Sequence, residues 1–121
     1  MAAGFFEVED VVMGPTVLVV DDNEAVLRTT GEMLEAAGYE VLLARSAFDA
    51  VAVANSCGTV DVLLTDLVMP DLDGFDLAEY LADRFPEIRA ICMSGWSDGR
   101  LLDAFLAKPF TAEELLAAVA G

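Results

Sequence analysis

Five short apolar runs constrain this chain more than any other feature: VLVV at 17–20, VLLA at 41–44, VLLT at 62–65, AICM at 90–93 and AFLA at 104–107. They are continuous and do not alternate with polar residues. That pattern suits strands buried on both faces, as in a parallel sheet. Such a sheet needs helices above and below it, and helical patterns fill the gaps. Over 23–37, Val26, Thr30, Met33, Leu34 and Ala37 keep helical spacing, with Gly38 as a stop. Segment 46–55 opens with Ser46 and Asp49 in capping-box positions, and segment 74–85 carries Phe75, Ala78, Leu81 and Phe85 on one face. A last helix starts at Thr111, with Glu114 completing a second capping box. Strands alternating with helices imply right-handed crossovers and an α/β, doubly wound sheet. In such sheets the functional crevice lies beyond the carboxyl ends of the strands.

The length, 121 residues, is that of one domain, and a 56% apolar content supplies a core. Residues 1–15 read as an extension or linker and 16–121 as the domain. The first residues lack a basic start and include Glu7, Glu9 and Asp10, unlike a signal peptide. No apolar stretch reaches the length of a membrane span, so membrane insertion is not expected. A net charge of −16 opposes binding to nucleic acid or anionic lipid. Divalent cations and basic protein surfaces are the natural counterparts. Cys57 and Cys92 read as reduced thiols, and the expected location is cytoplasmic.

Taking each strand at its last residue gives Asp21 and Asp22 after the first, Asp66 after the third, Ser94 at the fourth and Lys108 after the fifth. Lys108 is the only lysine in the chain and precedes Pro109. Three carboxylates in one cleft repel one another unless something compensates. Clustered oxygen ligands suit a hard cation such as Mg²⁺, which takes one or two carboxylates, waters and a phosphate oxygen. Asp21 and Asp22 form the metal-binding pair. Asp66 is then both ligand and nucleophile, since carboxylates act as covalent nucleophiles in phosphoryl chemistry. Lys108 would neutralise charge on transferred oxygens, and Ser94 would hydrogen-bond one of them. Plainer readings stand beside these. Asp21 and Asp22 can cap the first helix, Asp66 can be a surface-turn aspartate, and Ser94 can be a loop serine. Asp71, Asp73 and Gly74 read as an ordinary turn that starts the third helix, and Phe105 as core.

Four blocks carry a resemblance: VLVVDDNE (17–24), LLTDLVMPDLDGFDL (63–77), MSGW (93–96) and FLAKPF (105–110). In order and spacing they resemble the signature of a two-component response-regulator receiver domain, the CheY-like family. The resemblance implies a five-stranded parallel sheet of order 2-1-3-4-5, flavodoxin-like, with helices on both faces. It implies that Asp66 accepts a phosphoryl group from a histidine kinase or phosphotransfer protein. It assigns Mg²⁺ to Asp21, Asp22, Asp66 and the backbone carbonyl of Val68. Ser94 becomes the switch hydroxyl, Phe105 the aromatic switch position, and the Lys108–Pro109 bond is expected to be cis. A receiver is a switch that catalyses its own phosphorylation and is not a turnover enzyme. The wording of MSGW and FLAKPF leans toward a receiver excised from a hybrid histidine kinase, with a stand-alone receiver as the alternative.

Two departures from the family pattern matter. Only fourteen positions separate Ser94 from Lys108, fewer than receivers usually have. A parallel crossover needs about ten to twelve residues with its helix. The fourth helix is therefore expected to be shortened or missing, and output to use another face. The output partner is not legible, and a homodimer stays open. Second, Val68 and Trp96 occupy the positions that border the path of attacking water. One is apolar and the other large, so a long-lived acyl phosphate is expected. Two rival functions remain. A haloacid-dehalogenase-type phosphatase needs an aspartate two residues after its nucleophile, where this chain has Val68. A receiver-like interaction module without phosphorylation would not need all of Asp21, Asp22, Asp66 and Lys108.

Overall fold

A computed structural model describes residues 14–94 and 104–121 of the chain. Five strands, β1 (Thr16–Val20), β2 (Glu40–Ala44), β3 (Val62–Thr65), β4 (Arg89–Ser94) and β5 (Ala104–Ala107), form one parallel sheet of order β2-β1-β3-β4-β5. The described helices are α1 (Glu24–Ala36), α2 (Ala47–Cys57), α3 (Gly74–Arg84) and α4 (Ala112–Ala120). This is the sheet order expected from the sequence. The connection 95–103, where the fourth-helix expectation falls, lies outside the described residues, as do the side chains of Ser94 and Phe105 and all of Trp96.

In β1 and β3 the apolar runs are continuous because both faces of the sheet are covered, whereas the run in β2, at the sheet's edge, is only half-buried, with Leu43 44% exposed. Side chains alternate between faces along a strand. Leu18, Val20 and Leu63 therefore pack with Ala50, Ala54, Leu77 and Leu81 beneath α2 and α3. Val17, Val19, Leu64, Ile91 and Met93 pack with Leu27, Leu34, Leu115 and Val119 beneath α1 and α4.

The caps at Ser46 and Thr111 follow the sequence, whereas α1 is capped by Asn23 and not by Asp21 or Asp22. Asn23 accepts from the Val26 amide to start α1, and Gly38, at φ 98°, follows its end. The buried face is Leu27, Thr30, Gly31 and Leu34. Ala37, expected on that face, is the exposed C-cap, because the helix has already ended at Ala36. Ser46 accepts from the Asp49 amide at 3.1 Å, but Asp49 reaches the Arg45 amide and leaves the capping box half made. On α3 the core face is Leu77, Ala78 and Leu81, with Phe75 and Phe85 only half-buried. The Thr111–Glu114 box is complete. At the other end of α4, the Arg89 guanidinium donates to the carbonyls of Val119 and Ala118 at 3.0 and 3.3 Å. A cation there meets the negative end of the helix dipole. Among the described residues no helix is long and apolar enough to cross a membrane.

Leu64 is fully buried between two helices, whereas Tyr80 is 48% exposed on α3. In urea unfolding, Leu64→Ala lowers stability by about 2–5 kcal/mol through lost burial and a residual cavity. Tyr80→Ala changes it by no more than about 0.5 kcal/mol.

Candidate functional site

The carboxyl ends of β1, β3 and β5 deliver Asp21, Asp66 and Lys108 to one point. The backbone places both aspartates as the next rungs of the sheet. The Asp21 amide donates to Ala44 O at 3.1 Å, and the Asp66 amide to Val20 O at 2.9 Å. Their side chains therefore start from the rigid edge of the sheet and not from a loose loop.

Asp21 is almost fully buried, its side chain only 1% exposed. A carboxylate so placed needs partners for both oxygens. It has them: Oδ1 accepts from the Asn23 amide at 2.9 Å and Oδ2 from Lys108 Nζ at 2.8 Å. On Asp66, Oδ1 accepts from the Leu67 amide at 2.8 Å, and Oδ2 lies 3.5 Å from the same Nζ. Lys108 thus stands between the two carboxylates and closer to Asp21. Asp22 is exposed beside them, and one oxygen from each of Asp21, Asp22 and Asp66 falls within 4.8 Å of the others. This acidic cluster can hold a metal ion, and an all-oxygen donor set of this kind fits a hard divalent cation.

The charges are mutually adjusted. Burial lifts the Asp66 carboxyl above the ordinary aspartate range, attraction to Lys108 opposes this, and repulsion from Asp21 adds to it. Burial on its own would lower the Lys108 pKa, but the bond and charge of Asp21, followed by Asp66, hold it above the usual lysine value.

The loop after Asp66 folds back onto it. Thr65 Oγ1 donates to the Asp66 carbonyl at 2.8 Å, and the Gly74 amide to Leu67 O at 2.9 Å. A Cβ at position 74 would sit 2.4 Å from the Asp66 carbonyl oxygen, so only glycine allows this approach. Asp73 caps α3 by accepting from the Asp76 amide, as the turn reading has it. Asp71 does not stay within the turn. Its Oδ1 accepts from the Ala47 amide at 3.2 Å and its Oδ2 from the Phe48 amide at 2.9 Å, both in the first turn of α2. The Phe48 bond leads in holding the Asp71 carboxyl below the ordinary aspartate range. No local signal in the sequence marks this contact, because α2 already has Ser46 as its cap.

Comparison with known proteins identifies the family and the fold. The family model described as the response regulator receiver domain matches residues 17–120. The chain belongs to the response-regulator receiver family. It is 35% identical over 113 residues to the sensor kinase CckA of Brucella abortus, covering 86% of this chain and 12% of that protein. It is 32% identical over 117 residues to the protein PilG of Pseudomonas aeruginosa, covering 88% and 85%. Among solved structures, the chemotaxis response regulator CheY4 of Vibrio cholerae superposes with a TM-score of 0.80 at 25% identity, covering 89% of this chain and 98% of that one. The receiver domain of the hybrid histidine kinase CckA gives 0.77 at 32% identity, covering 87% and 95%. The receiver thus spans a small part of the kinase and most of the smaller proteins.

Of the receiver residues singled out from sequence, Asp21, Asp22, Asp66 and Lys108 come together. Val68 follows the cluster with its side chain 64% exposed. The Ser94 backbone ends β4 in register with Ala107, next to Lys108, and Phe105 pairs with Cys92 across β4 and β5. The Lys108–Pro109 bond is cis.

An aspartate whose native pKa lies above its unfolded value favours unfolding once it is ionised in both states. Stability therefore falls as pH rises from near the ordinary value of 3.8 through the raised native one. Asp66→Asn consequently stabilises the receiver at neutral pH in EDTA, and the gain disappears below the unfolded aspartate pKa. Urea unfolding at neutral and acidic pH checks both halves. A variant less stable than wild type at neutral pH contradicts the account.

Proposed function

We propose that this receiver accepts a phosphoryl group on Asp66 from the phosphohistidine of a histidine kinase or phosphotransfer protein, in a Mg²⁺-dependent reaction, and acts as a two-component switch. The observation that carries this reading is the cluster itself: three carboxylates at the strand ends, with the only lysine reaching two of them. The acting domain spans residues 16–121, with 1–15 an extension or linker, and it works in the cytoplasm. Similarity to the CckA kinase supports a kinase or phosphotransfer donor.

Asp66 Oδ2, the oxygen facing Lys108, is the nucleophile in this reading. It attacks phosphorus as the P–N bond to imidazole breaks, and the electron pair of that bond leaves with the imidazole nitrogen. The product is an acyl phosphate on Asp66. Asp21, Asp22 and Asp66, with the carbonyl of Val68, would hold Mg²⁺, which when bound offsets repulsion between the carboxylates and the phosphoryl oxygens. Lys108 supplies a fixed positive charge where the transferred oxygens arrive. Ser94 is the hydroxyl that accompanies the switch, and Phe105 the aromatic position that responds to it.

Intact-mass spectrometry after incubation with Mg²⁺ and acetyl phosphate tests the reading. One phosphoryl adduct is expected in wild type, and none in Asp66→Ala or in EDTA. No adduct in wild type favours an interaction module that is not phosphorylated. Val68 and Trp96 are proposed to slow hydrolysis, because an apolar side chain at position 68 offers no hydrogen bond to orient water. Val68→Asn is therefore expected to speed loss of the adduct several-fold. An unchanged decay rate counts against that role.

A further inference from the structure

Asp71 is joined to α2 through two hydrogen bonds that the helix does not need for its own cap. Ser46 already accepts from the Asp49 amide, and the Ala50 amide donates to Ser46 O. The amides of Ala47 and Phe48 belong to the first turn, whose donors have no partner within the helix. Water can satisfy such groups, yet here one carboxylate takes both, its two oxygens at 3.2 and 2.9 Å. An anion at this end of a helix is also favoured by the dipole.

The other end of this connection is the acceptor loop. Its flanks are fixed: the Asp66 amide is bonded to β1, the Gly74 amide closes onto Leu67 O, and Asp73 caps α3. Between the flanks lie 68–72, including the Val68 carbonyl that belongs to the proposed ligand set. Among the described residues, the two bonds of Asp71 are the hydrogen bonds that fasten 68–72 to another element. Val68 and Leu72 are exposed, so packing gives this stretch little further restraint beyond the buried Met69.

We infer that Asp71 is a positioning residue for phosphoryl transfer, tying the loop that carries Asp66 and the Val68 carbonyl to the first turn of α2. The assignment rests on the function proposed above. Because the lever is the loop backbone, its loss widens the range of positions available to the Val68 carbonyl without removing any ligand. Support of this kind around a metal site changes affinity or activity by about tenfold or more.

The test sets Asp71→Ala against Ser46→Ala, which weakens the start of α2 without touching the acceptor loop. Three readouts are taken on the full chain: amide hydrogen exchange across 67–73 without metal, the Mg²⁺ dissociation constant, and the rate of adduct formation from acetyl phosphate. Asp71→Ala is expected to speed exchange in the loop, to weaken Mg²⁺ binding by about tenfold and to slow the reaction. Ser46→Ala is expected to match wild type in all three, and Asp71→Asn, which keeps an acceptor oxygen, to recover part of the loss. Exchange, affinity and rate in Asp71→Ala equal to wild type overturn the inference, and so does an equal loss in Ser46→Ala. A wild-type chain that takes up no phosphoryl group refutes the proposed function instead, and loop exchange without metal then decides on the tether alone.

Discussion

The ammonium group of Lys108 is the constraint on which the rest of the site depends. It contacts a buried carboxylate at 2.8 Å and a second, half-buried one at 3.5 Å. Without a cation, Asp21 would be an uncompensated charge in the interior, which costs several kcal/mol in proteins. With it, a buried carboxylate at the end of β1 has a partner while its neighbour on β3 stays close. The lysine itself is half-buried, its side chain 26% exposed, so solvent screens part of the attraction. The balance is incomplete. Asp66 remains above its ordinary pKa, and the cluster still carries more negative than positive charge.

The sheet's topology is what brings these charges together. Parallel strands end together, so residues far apart in sequence meet without any loop having to be ordered for the purpose. Lys108 and Asp21 are 87 residues apart, and both follow directly from strands whose apolar residues lock the register. The loop after Asp66 is held more delicately. It depends on a glycine at 74, where a single added carbon would strike the Asp66 carbonyl, and on a hydroxyl of Thr65 bonded to the same oxygen.

What could be read from the sequence divides along the range of the interactions involved. Strands, the burial of β1 and β3 on both faces and the helix caps at Ser46 and Thr111 are written in neighbouring residues, and periodicity or spacing exposes them, whereas the cap of α1 is Asn23 and not Asp21 or Asp22. The convergence of Asp21, Asp66 and Lys108 was legible because one topological rule converts strand ends into neighbours. The face of α1 was half right, since its spacing runs past the point where Gly38 ends the helix. The reach of Asp71 to α2 was not legible. A carboxylate in an Asp-Leu-Asp-Gly turn has sufficient local reasons to exist, and its partners lie more than twenty residues away. Nor does sequence say which carboxylate Lys108 favours, because that turns on differences of less than an ångström.

A site that is unfavourable when empty is a reservoir for binding energy. Repulsion between Asp21 and Asp66 is borne by the folding free energy, and the hydrophobic clusters on the two faces of the sheet supply the reserve. A divalent cation that relieves the repulsion regains that energy as affinity, since anything bound to the native state alone stabilises it. The same linkage runs through the acceptor. In the proposed reaction Asp66 Oδ2 becomes part of an acyl phosphate, and Lys108, already 3.5 Å from that oxygen, is the cation beside the new charge. Lys108 contacts the carboxylates that follow β1 and β3 and itself follows β5, so a change of charge at Asp66 bears on all three strand ends.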